Sequence, residues 1–298
     1  MSPRDEAAGA AAPAPEVVTP ALLRSWALPD VAGSKHGRGS LLVVGGAAKT
    51  PGAALLAGVA ALRVGAGHLQ LAVARSTAVQ MAVAIPESGV IGLTETPDGS
   101  VAGSSASSLA DTLDTVDAVV VGPGLDDAEQ AAELLRGLAA EMPAETLIVL
   151  DAYALGVLID LVDVRKAFAG RLVLTPNSQE AARLLDRELS DTEADVLEVA
   201  KRYEAVVTCS GIVAAPDGRR WEVAAGHGGL ATSGSGDVLA GCVTGLLARG
   251  ADVAQATCWA THLHAAAGDR LAARVGPLGF LGRELLDEMP ALLVELSQ

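Results

Sequence analysis

Short runs of hydrophobic residues alternate along much of the chain with longer segments of helical periodicity. The short runs predict strands, and most of them are apolar enough to be buried on both faces of a sheet. The predicted strands lie at 40–44, 68–73, 117–121, 147–150 and 172–174. The predicted helices lie at 53–64, 128–138, 154–159, 180–185 and 193–203. This alternation predicts a mostly parallel sheet with helices on both faces.

The pattern changes after residue 204, where short apolar runs follow one another with turns between them. These runs lie at 205–208, 212–215 and 221–225. They predict an antiparallel edge on the parallel sheet, and residues 237–296 predict mainly helix. We therefore expect an α/β fold with one domain over residues 16–298. Residues 1–15 predict a disordered tail, because prolines interrupt an alanine-rich segment that has too few large apolar side chains to bury in a core.

Polar or small residues follow successive predicted strands. They are the pair Gly45 and Gly46, the Gly122-Pro123-Gly124 turn, Asp151, Asn177 and Gly211. Each one alone is typical of an ordinary turn. Because ligands of open α/β sheets bind beyond the carboxyl ends of the strands, the set together predicts a cleft at this edge.

The segment ATSGSGDVLAG at 231–241 carries the most specific chemistry. Gly234, Ser235 and Gly236 are small enough to turn their N–H groups inward, and an apolar helix is predicted to follow Asp237. A loop that enters a helix N-terminus concentrates unpaired N–H donors, so these three residues predict an anion hole. The Asp237 carboxylate beside it is a candidate general base. The alternative interpretation is that Asp237 only caps the helix.

Composition narrows the choice of function. Twenty-one Lys and Arg against 36 Asp and Glu give a net charge of −15, which disfavours nucleic-acid and membrane-surface partners. Cys209, Cys242 and Cys258 form no CxxC unit and indicate a reducing compartment, so we expect a cytoplasmic protein. Long uninterrupted apolar runs are lacking, so no membrane span is predicted.

Several familiar motifs are lacking. The sequence contains no P-loop, no G-x-G-x-x-G fingerprint and no G-x-S-x-G elbow. His262 and His264 are two residues apart on a predicted helix, so they point to different sides and are expected in the core or at an interface. No metal-ligand cluster is visible, and we expect any divalent ion to arrive on nucleotide phosphates.

These residues together resemble the ADP- or ATP-dependent NAD(P)H-hydrate dehydratases of the ribokinase-like superfamily. The resemblance covers about 35–290. The similar segments are KHGRG at 35–39, a glycine-rich segment at 45–58, GPGL at 122–125, LDAYAL at 150–155, LTPNSQEAARLL at 174–185, the GSGD-containing segment at 229–250 and HLHAAAGD at 262–269. The resemblance implies a ribokinase-like three-layer sandwich.

The resemblance also implies an activity: removal of water from the S-form of hydrated NADH or NADPH, with ADP or ATP consumed and Mg²⁺ bridging the nucleotide phosphates. Asp237 would deprotonate the ring hydroxyl, which takes a phosphoryl group and then loses phosphate. The implied substrate contacts are Ala53, Gly124, Asn177 and Asp237. The implied nucleotide contacts are Cys209, Ser210, Gly211, Ile212, Val213 and Gly236.

Three positions depart from the family pattern. The family usually has His-Pro-Gly-Glu where this chain has NSQE from Asn177, Lys-Gly where it has Cys209 and Ser210, and a second Asp where it has Tyr153. The loss of the Lys removes a cation suited to phosphate. Two alternatives therefore stay open, a small-molecule kinase of the vitamin-precursor type on the same fold and a non-catalytic nucleotide-binding relative.

The family also implies an assembly. We expect a homo-oligomer, in particular a tetramer, because small apolar helices can pair symmetrically. Many bacterial relatives carry a fused epimerase domain ahead of the dehydratase. Only a short tail precedes the domain here, so an epimerase partner is expected to be a separate chain.

Overall fold

The computed structural model describes residues 14–30, 36–226 and 228–298. Most of the predicted tail, residues 1–13, lies outside the described residues, and so does Lys35 of the first similar segment. No helix in the described ranges is long and apolar enough to cross a membrane.

The described residues contain a sheet of ten strands in the order β1-β10-β9-β8-β7-β6-β5-β2-β3-β4. The strands are β1 Glu16–Val17, β2 Ser40–Val44, β3 His68–Ala74, β4 Ser88–Leu93, β5 Ala118–Val121, β6 Leu147–Leu150, β7 Leu172–Leu174, β8 Val206–Cys209, β9 Ile212–Ala214 and β10 Arg220–Glu222. Strands β2 to β8 pair in parallel, and β9 is antiparallel to both β8 and β10. The predicted parallel sheet with an antiparallel edge is confirmed.

Helices cover both faces of this sheet. They are α1 Pro20–Ser25, α2 Pro51–Arg63, α3 Arg75–Ala84, α4 Ala110–Leu113, α5 Ala128–Glu141, α6 Tyr153–Leu158, α7 Val162–Phe168, α8 Ser178–Leu185, α9 Thr192–Tyr203, α10 Ser235–Ala248, α11 Val253–Arg274 and α12 Gly282–Ser297. Along β2, Leu41 and Val43 join the core under α2, α10, α11 and α12, while Leu42 and Val44 join the core under α5, α6, α8 and α9. This alternation of side chains divides the protein into three layers, as expected for a ribokinase-like fold.

Small residues let two of these helices approach closely. A Cβ on Gly241 of α10 would lie 2.1 Å from the Ala57 carbonyl oxygen of α2, and one on Gly245 would lie 2.6 Å from the Ala61 carbonyl oxygen. The helix that carries the glycine loop at its N-terminus is therefore held firmly against α2, whose own N-terminus lies at the same edge of the sheet.

The structure differs from the predicted elements in several places, and the short helices α1, α4 and α7 are among the elements that were not predicted. Helix α3 and strand β4 were not predicted, because the exposed Val79 and Val83 of α3 blur its polar face. Strand β1 pairs in parallel with β10, and its two residues are too short for a periodic signal. The strand predicted at 221–225 ends at Glu222, because the Val223 N–H turns to the Gly211 carbonyl oxygen.

Candidate active site

The glycine loop leads directly into α10. Gly234 occupies the N-cap position with a φ of 86°, and the helix begins at Ser235, two residues earlier than predicted. Asp237 is the third residue of the helix, and its carboxyl forms no side-chain cap or other hydrogen bond with any described residue. The interpretation that Asp237 only caps the helix is therefore wrong. Its half-buried carboxyl is available for chemistry.

Two backbone donors of this helix N-terminus are free. The Ser235 N–H donates to the Thr232 carbonyl oxygen at 3.2 Å. The N–H groups of Gly236 and Asp237 have no acceptor among the described residues, and Gly236 is exposed. Together with the positive end of α10, they can bind a phosphate oxygen. Of the three residues predicted to form an anion hole, Gly234 and Gly236 have N–H groups without a described acceptor, whereas Ser235 has only its hydroxyl to offer. The anion hole itself stays a prediction.

A second carboxyl lies close to that of Asp237. Burial raises the pKa of Asp237 to about 6. Asp151, at the end of β6, is buried, and that burial raises its pKa to about 7, with further contributions from the negative charges of Asp237 and Glu180. The Thr175 hydroxyl donates to Asp151 Oδ1 at 2.8 Å and partly offsets this rise. Burial thus brings the pKa values of both carboxyls close to neutral pH.

The predicted substrate residues Ala53 and Gly124 are neighbours. A Cβ on Gly124 would lie 3.1 Å from Ala53 Cβ and 2.3 Å from the Thr50 carbonyl oxygen. The Thr50 hydroxyl also donates to the Gly124 carbonyl oxygen at 2.8 Å. A Cβ on Gly234 would lie 2.5 Å from Leu56 Cδ1, so the glycine loop packs on the same helix, α2. We call this surface of Thr50, Ala53 and Gly124 the glycine wall.

A cavity of about 410 Å³ lies on the other side of the glycine loop. It brings together most of the predicted nucleotide contacts with the predicted substrate contact Asn177. Its polar lining is Thr175, Asn177, Ser178, Thr208, Cys209, Ser210, Ser235, Thr261 and His264, with Gly211 and Gly236 among the other residues. Among the described residues, no lysine, arginine, aspartate or glutamate belongs to this lining. We call it the hydroxyl pocket.

Two contacts shape the wall of the hydroxyl pocket. Asn177 is the N-cap of α8, and its side-chain oxygen accepts hydrogen bonds from the N–H groups of Gln179 and Glu180. Its side-chain NH₂ group therefore remains for a ligand. The hydroxyls of Ser178 and Ser210 lie 3.1 Å apart and form a polar pair at the positions where the family has Pro and Gly.

Some sequence predictions lie elsewhere. Ile212 and Val213 do not line the hydroxyl pocket: Val213 is buried under the helices, and Ile212 packs against the opposite core. Tyr153 is 45% exposed and lines a separate groove with Arg183. His262 and His264 were expected in the core or at an interface, and both are buried. The contact between His264 and Ser235 was not predicted. Only the spacing between two helices reveals that contact, so no local signal could have shown it.

The carboxyls of the site do not form a metal centre. No group of three or more His, Cys, Asp or Glu side chains in the described ranges is arranged to hold a metal ion. A Mg²⁺ ion in this cleft would therefore take its ligands mainly from nucleotide phosphates and water, as this ion commonly does.

The sheet order and the glycine loop at the N-terminus of α10 define a ribokinase-like protein. Residues 41–291 match the family model described as NAD(P)H-hydrate dehydratase. The chain belongs to the NAD(P)H-hydrate dehydratase family, a family of lyases.

Individual relatives agree with this assignment. The chain is 42% identical to the ADP-dependent (S)-NAD(P)H-hydrate dehydratase of Xanthomonas campestris, over 96% of this chain and 99% of the relative. A crystal structure of the ADP/ATP-dependent NAD(P)H-hydrate dehydratase of Bacillus subtilis with ATP/Mg²⁺ has a TM-score of 0.78 at 26% identity, covering 94% and 98% of the two chains. A bifunctional NAD(P)H-hydrate repair enzyme of Moorella thermoacetica is 36% identical over 90% of this chain but only 52% of its own length.

Proposed function

We propose that this protein converts the S-form of hydrated NADH or NADPH back to NADH or NADPH and consumes ADP or ATP in doing so. The observation that carries the proposal is the Asp237 carboxyl. It has no hydrogen-bond partner among the described residues, its pKa is raised to about 6, and it lies in the turn of helix that offers free N–H donors. A carboxylate beside an anion site is costly unless it removes a proton there.

The two sides of the glycine loop suit two substrates. The glycine wall has a surface of backbone and small side chains, and we assign the hydrated nicotinamide to it. Asn177, the further predicted substrate contact, lines the hydroxyl pocket and would reach the substrate from there. The hydroxyl pocket suits an adenine nucleotide, whose ribose and phosphates can bind hydroxyls and N–H groups. We keep Cys209, Ser210, Gly211 and Gly236 as its contacts and do not keep Ile212 and Val213, which do not line the pocket and whose backbone in β9 pairs with both β8 and β10.

In the proposed reaction, the Asp237 carboxylate accepts the proton of the ring hydroxyl as that oxygen forms a bond to the terminal phosphorus of the nucleotide. The bond between this phosphorus and the bridging oxygen breaks, and the shortened nucleotide leaves. The Gly236 N–H and the Ser235 hydroxyl stabilise the charge on the transferring group. The ring nitrogen then expels phosphate, a ring proton is lost, and the dihydronicotinamide is restored.

Magnesium fits this site as part of the nucleotide complex. Since no cluster of the described side chains is arranged to hold it, the phosphates would carry it into the cleft. When bound, the ion would neutralise phosphate charge that the described lining of the hydroxyl pocket, which has no lysine or arginine, cannot balance.

The test is recovery of the near-ultraviolet absorbance of the dihydronicotinamide when the protein meets hydrated NADPH, Mg²⁺ and either ADP or ATP. We expect recovery only with nucleotide, with a rate that falls below pH about 6 as Asp237 becomes protonated. The isosteric Asp237→Asn should lower kcat by about 10²- to 10⁴-fold while nucleotide binding and thermal unfolding stay close to wild type.

Other outcomes would contradict the proposal. A stable phosphorylated product in place of restored dihydronicotinamide would indicate a kinase. Unchanged turnover in Asp237→Asn would show that another group is the base.

We further propose a cytoplasmic homotetramer that works with a separate epimerase. The fused form of the bifunctional relatives supports the functional pairing. Light scattering at micromolar concentration tests the assembly, and a monomer would refute it.

A further inference from the structure

We propose that His264 is a positioning residue that holds the Ser235–Gly236 peptide and the Ser235 hydroxyl of the anion hole in the orientation that receives a phosphoryl group. This inference rests on the proposed function, although part of its test does not need turnover. His264 lies on α11, 27 residues beyond Asp237 in sequence, and contacts the first turn of α10 from the side of the core.

Two distances define the contact. His264 Nε2 lies 2.8 Å from Ser235 Oγ and 3.0 Å from the Ser235 carbonyl oxygen. The imidazole is 9% exposed, so water competes little for these bonds. One buried nitrogen thus contacts both the side chain and the backbone of a single loop residue.

Hydrogen-bonding chemistry assigns the proton. A carbonyl oxygen can only accept, so Nε2 must carry a hydrogen and donate it toward Ser235. Burial lowers the pKa of His264 to about 4, so the ring stays neutral with its proton on Nε2. Because Nε2 is a donor, Ser235 Oγ meets it as an acceptor. The hydroxyl hydrogen of Ser235 is then left to point toward a phosphate oxygen.

The backbone contact acts on Gly236. The carbonyl of Ser235 and the N–H of Gly236 belong to one planar trans peptide and point in opposite directions. Holding the Ser235 carbonyl therefore fixes the direction of the Gly236 N–H, one of the free donors described above. Gly236 has no side chain of its own to do this, and a Cβ placed on it would meet nothing within 4 Å.

His262 provides a matched control in the same helix. It is 8% exposed, close to the 9% of His264, but its Nδ1 has no hydrogen-bond partner in the described structure. A substitution there changes a buried imidazole of α11 and leaves the two hydrogen-bond contacts of His264 with Ser235 in place.

The experiment compares His264→Met, His264→Gln and His262→Met. Methionine and glutamine have the same length, and glutamine alone places an N–H donor as many bonds from Cα as Nε2 of histidine. We expect His264→Met to lower kcat by about 10- to 100-fold with the KM for the hydrate unchanged, somewhat less than deletion of an anion-hole donor. His264→Gln should recover most of this loss, and His262→Met should keep wild-type kcat.

Binding supplies the readout that is independent of the reaction. By calorimetry, His264→Met should weaken MgATP binding about 3- to 10-fold and leave adenosine binding unchanged, since only the phosphates reach the anion hole. This result in a protein that does not turn over the hydrate would support the positioning role and reject the proposed function. Wild-type kcat and MgATP affinity in His264→Met would overturn the inference. Equal losses in the Gln and Met variants would also overturn it, because packing would then explain them.

Discussion

The two parts of the cleft, the region of the Asp151 and Asp237 carboxyls and the hydroxyl pocket, differ in their content of charged side chains. In one part of the cleft, the carboxyls of Asp151 and Asp237 have pKa values raised to about 7 and about 6. The hydroxyl pocket has many hydroxyls and, among the described residues, no charged side chain in its lining. Under the proposed function, the carboxyls therefore lie where a proton moves, and no charged side chain of the described residues lines the pocket where the nucleotide binds.

This division follows from the electrostatics of an acidic protein. With a net charge of −15, the chain repels free phosphates at long range. Backbone N–H groups at a helix N-terminus attract a phosphate only at short range and only in the correct orientation. A nucleotide that brings Mg²⁺ loses much of its charge before entry. The hydroxyl pocket is therefore suited to a neutralised nucleotide complex.

The largest effect that separates the two sides is expected from Gly124→Ala. Gly124 has a φ of 75°, and its Cβ would lie 2.3 Å from the Thr50 carbonyl oxygen, so the glycine wall must shift. We expect turnover of the hydrate to fall by on the order of 100-fold, as misplacement of about 1 Å can cause. Calorimetric MgATP binding should change less than about two-fold. Steady-state kinetics and calorimetry on one preparation measure both.

Gly156→Ala is the control for Gly124→Ala. Gly156 lies within α6 with no atom within 4 Å of its Cβ position, so alanine should be tolerated and add about 0.5–1 kcal/mol of stability. If Gly124→Ala weakens MgATP binding as strongly as it slows turnover, the two sides are not independent.

A smaller effect is expected on stability from Asp151→Asn. The carboxyl of Asp151 loses its proton near pH 3.8 when unfolded but only near pH 7 in the fold. Between these values the folded state binds more protons, so wild-type stability falls as pH rises through this window and stays lower above it. Asparagine cannot ionise and can still accept from Thr175. At pH 8 we expect Asp151→Asn to unfold at a higher temperature than wild type. Each kcal/mol added to the free energy of unfolding raises the Tm by about 2 to 4 °C.

The difference between Asp151→Asn and wild type should vanish near pH 4, which a pH series of thermal unfolding measures. Asp217→Asn serves as the opposite control. Asp217 pairs with Arg219 at 2.8 Å, and its hydrogen bonds to Arg219 lower its pKa. Its contribution is present at high pH and lost in acid, so this variant should gain no stability at pH 8. A destabilised Asp151→Asn at pH 8 would show that Asp151 is charged and needed in the fold.

The sequence predicted the parts of this cleft that depend on local pattern. Residues 40–44, 147–150 and 172–174 matched the observed strands, because continuous apolar runs have few alternatives in a parallel sheet. The glycine loop was found from its motif, but the start of α10 at Ser235 depends on the positive φ of Gly234. The contact of His264 with Ser235 depends on how α11 packs against α10. Such long-range packing has no periodic signature.

The smallest effect is expected from Ser210→Lys, which tests whether the lack of charge in the hydroxyl pocket limits the affinity for MgATP. Ser210 is exposed at the end of β8 with a φ of 51°, and the family lysine belongs one position earlier, where Cys209 is buried. A lysine at Ser210 adds a cation to the uncharged hydroxyl pocket without burying it. We expect MgATP affinity to rise about 3- to 10-fold in low salt. The gain should disappear near 1 M salt, because the Debye screening length there is only about 3 Å.

Ser210→Gln removes the same hydroxyl and adds a long neutral side chain, so its comparison with Ser210→Lys isolates the charge. Adenosine, which has no phosphate, should bind the two variants equally. The lysine variant should also need less Mg²⁺ for half-maximal turnover, because its ammonium group takes over part of the neutralisation. If the two variants bind MgATP alike at low salt, the nucleotide phosphates lie away from Ser210, and the free N–H groups of α10 alone would hold them.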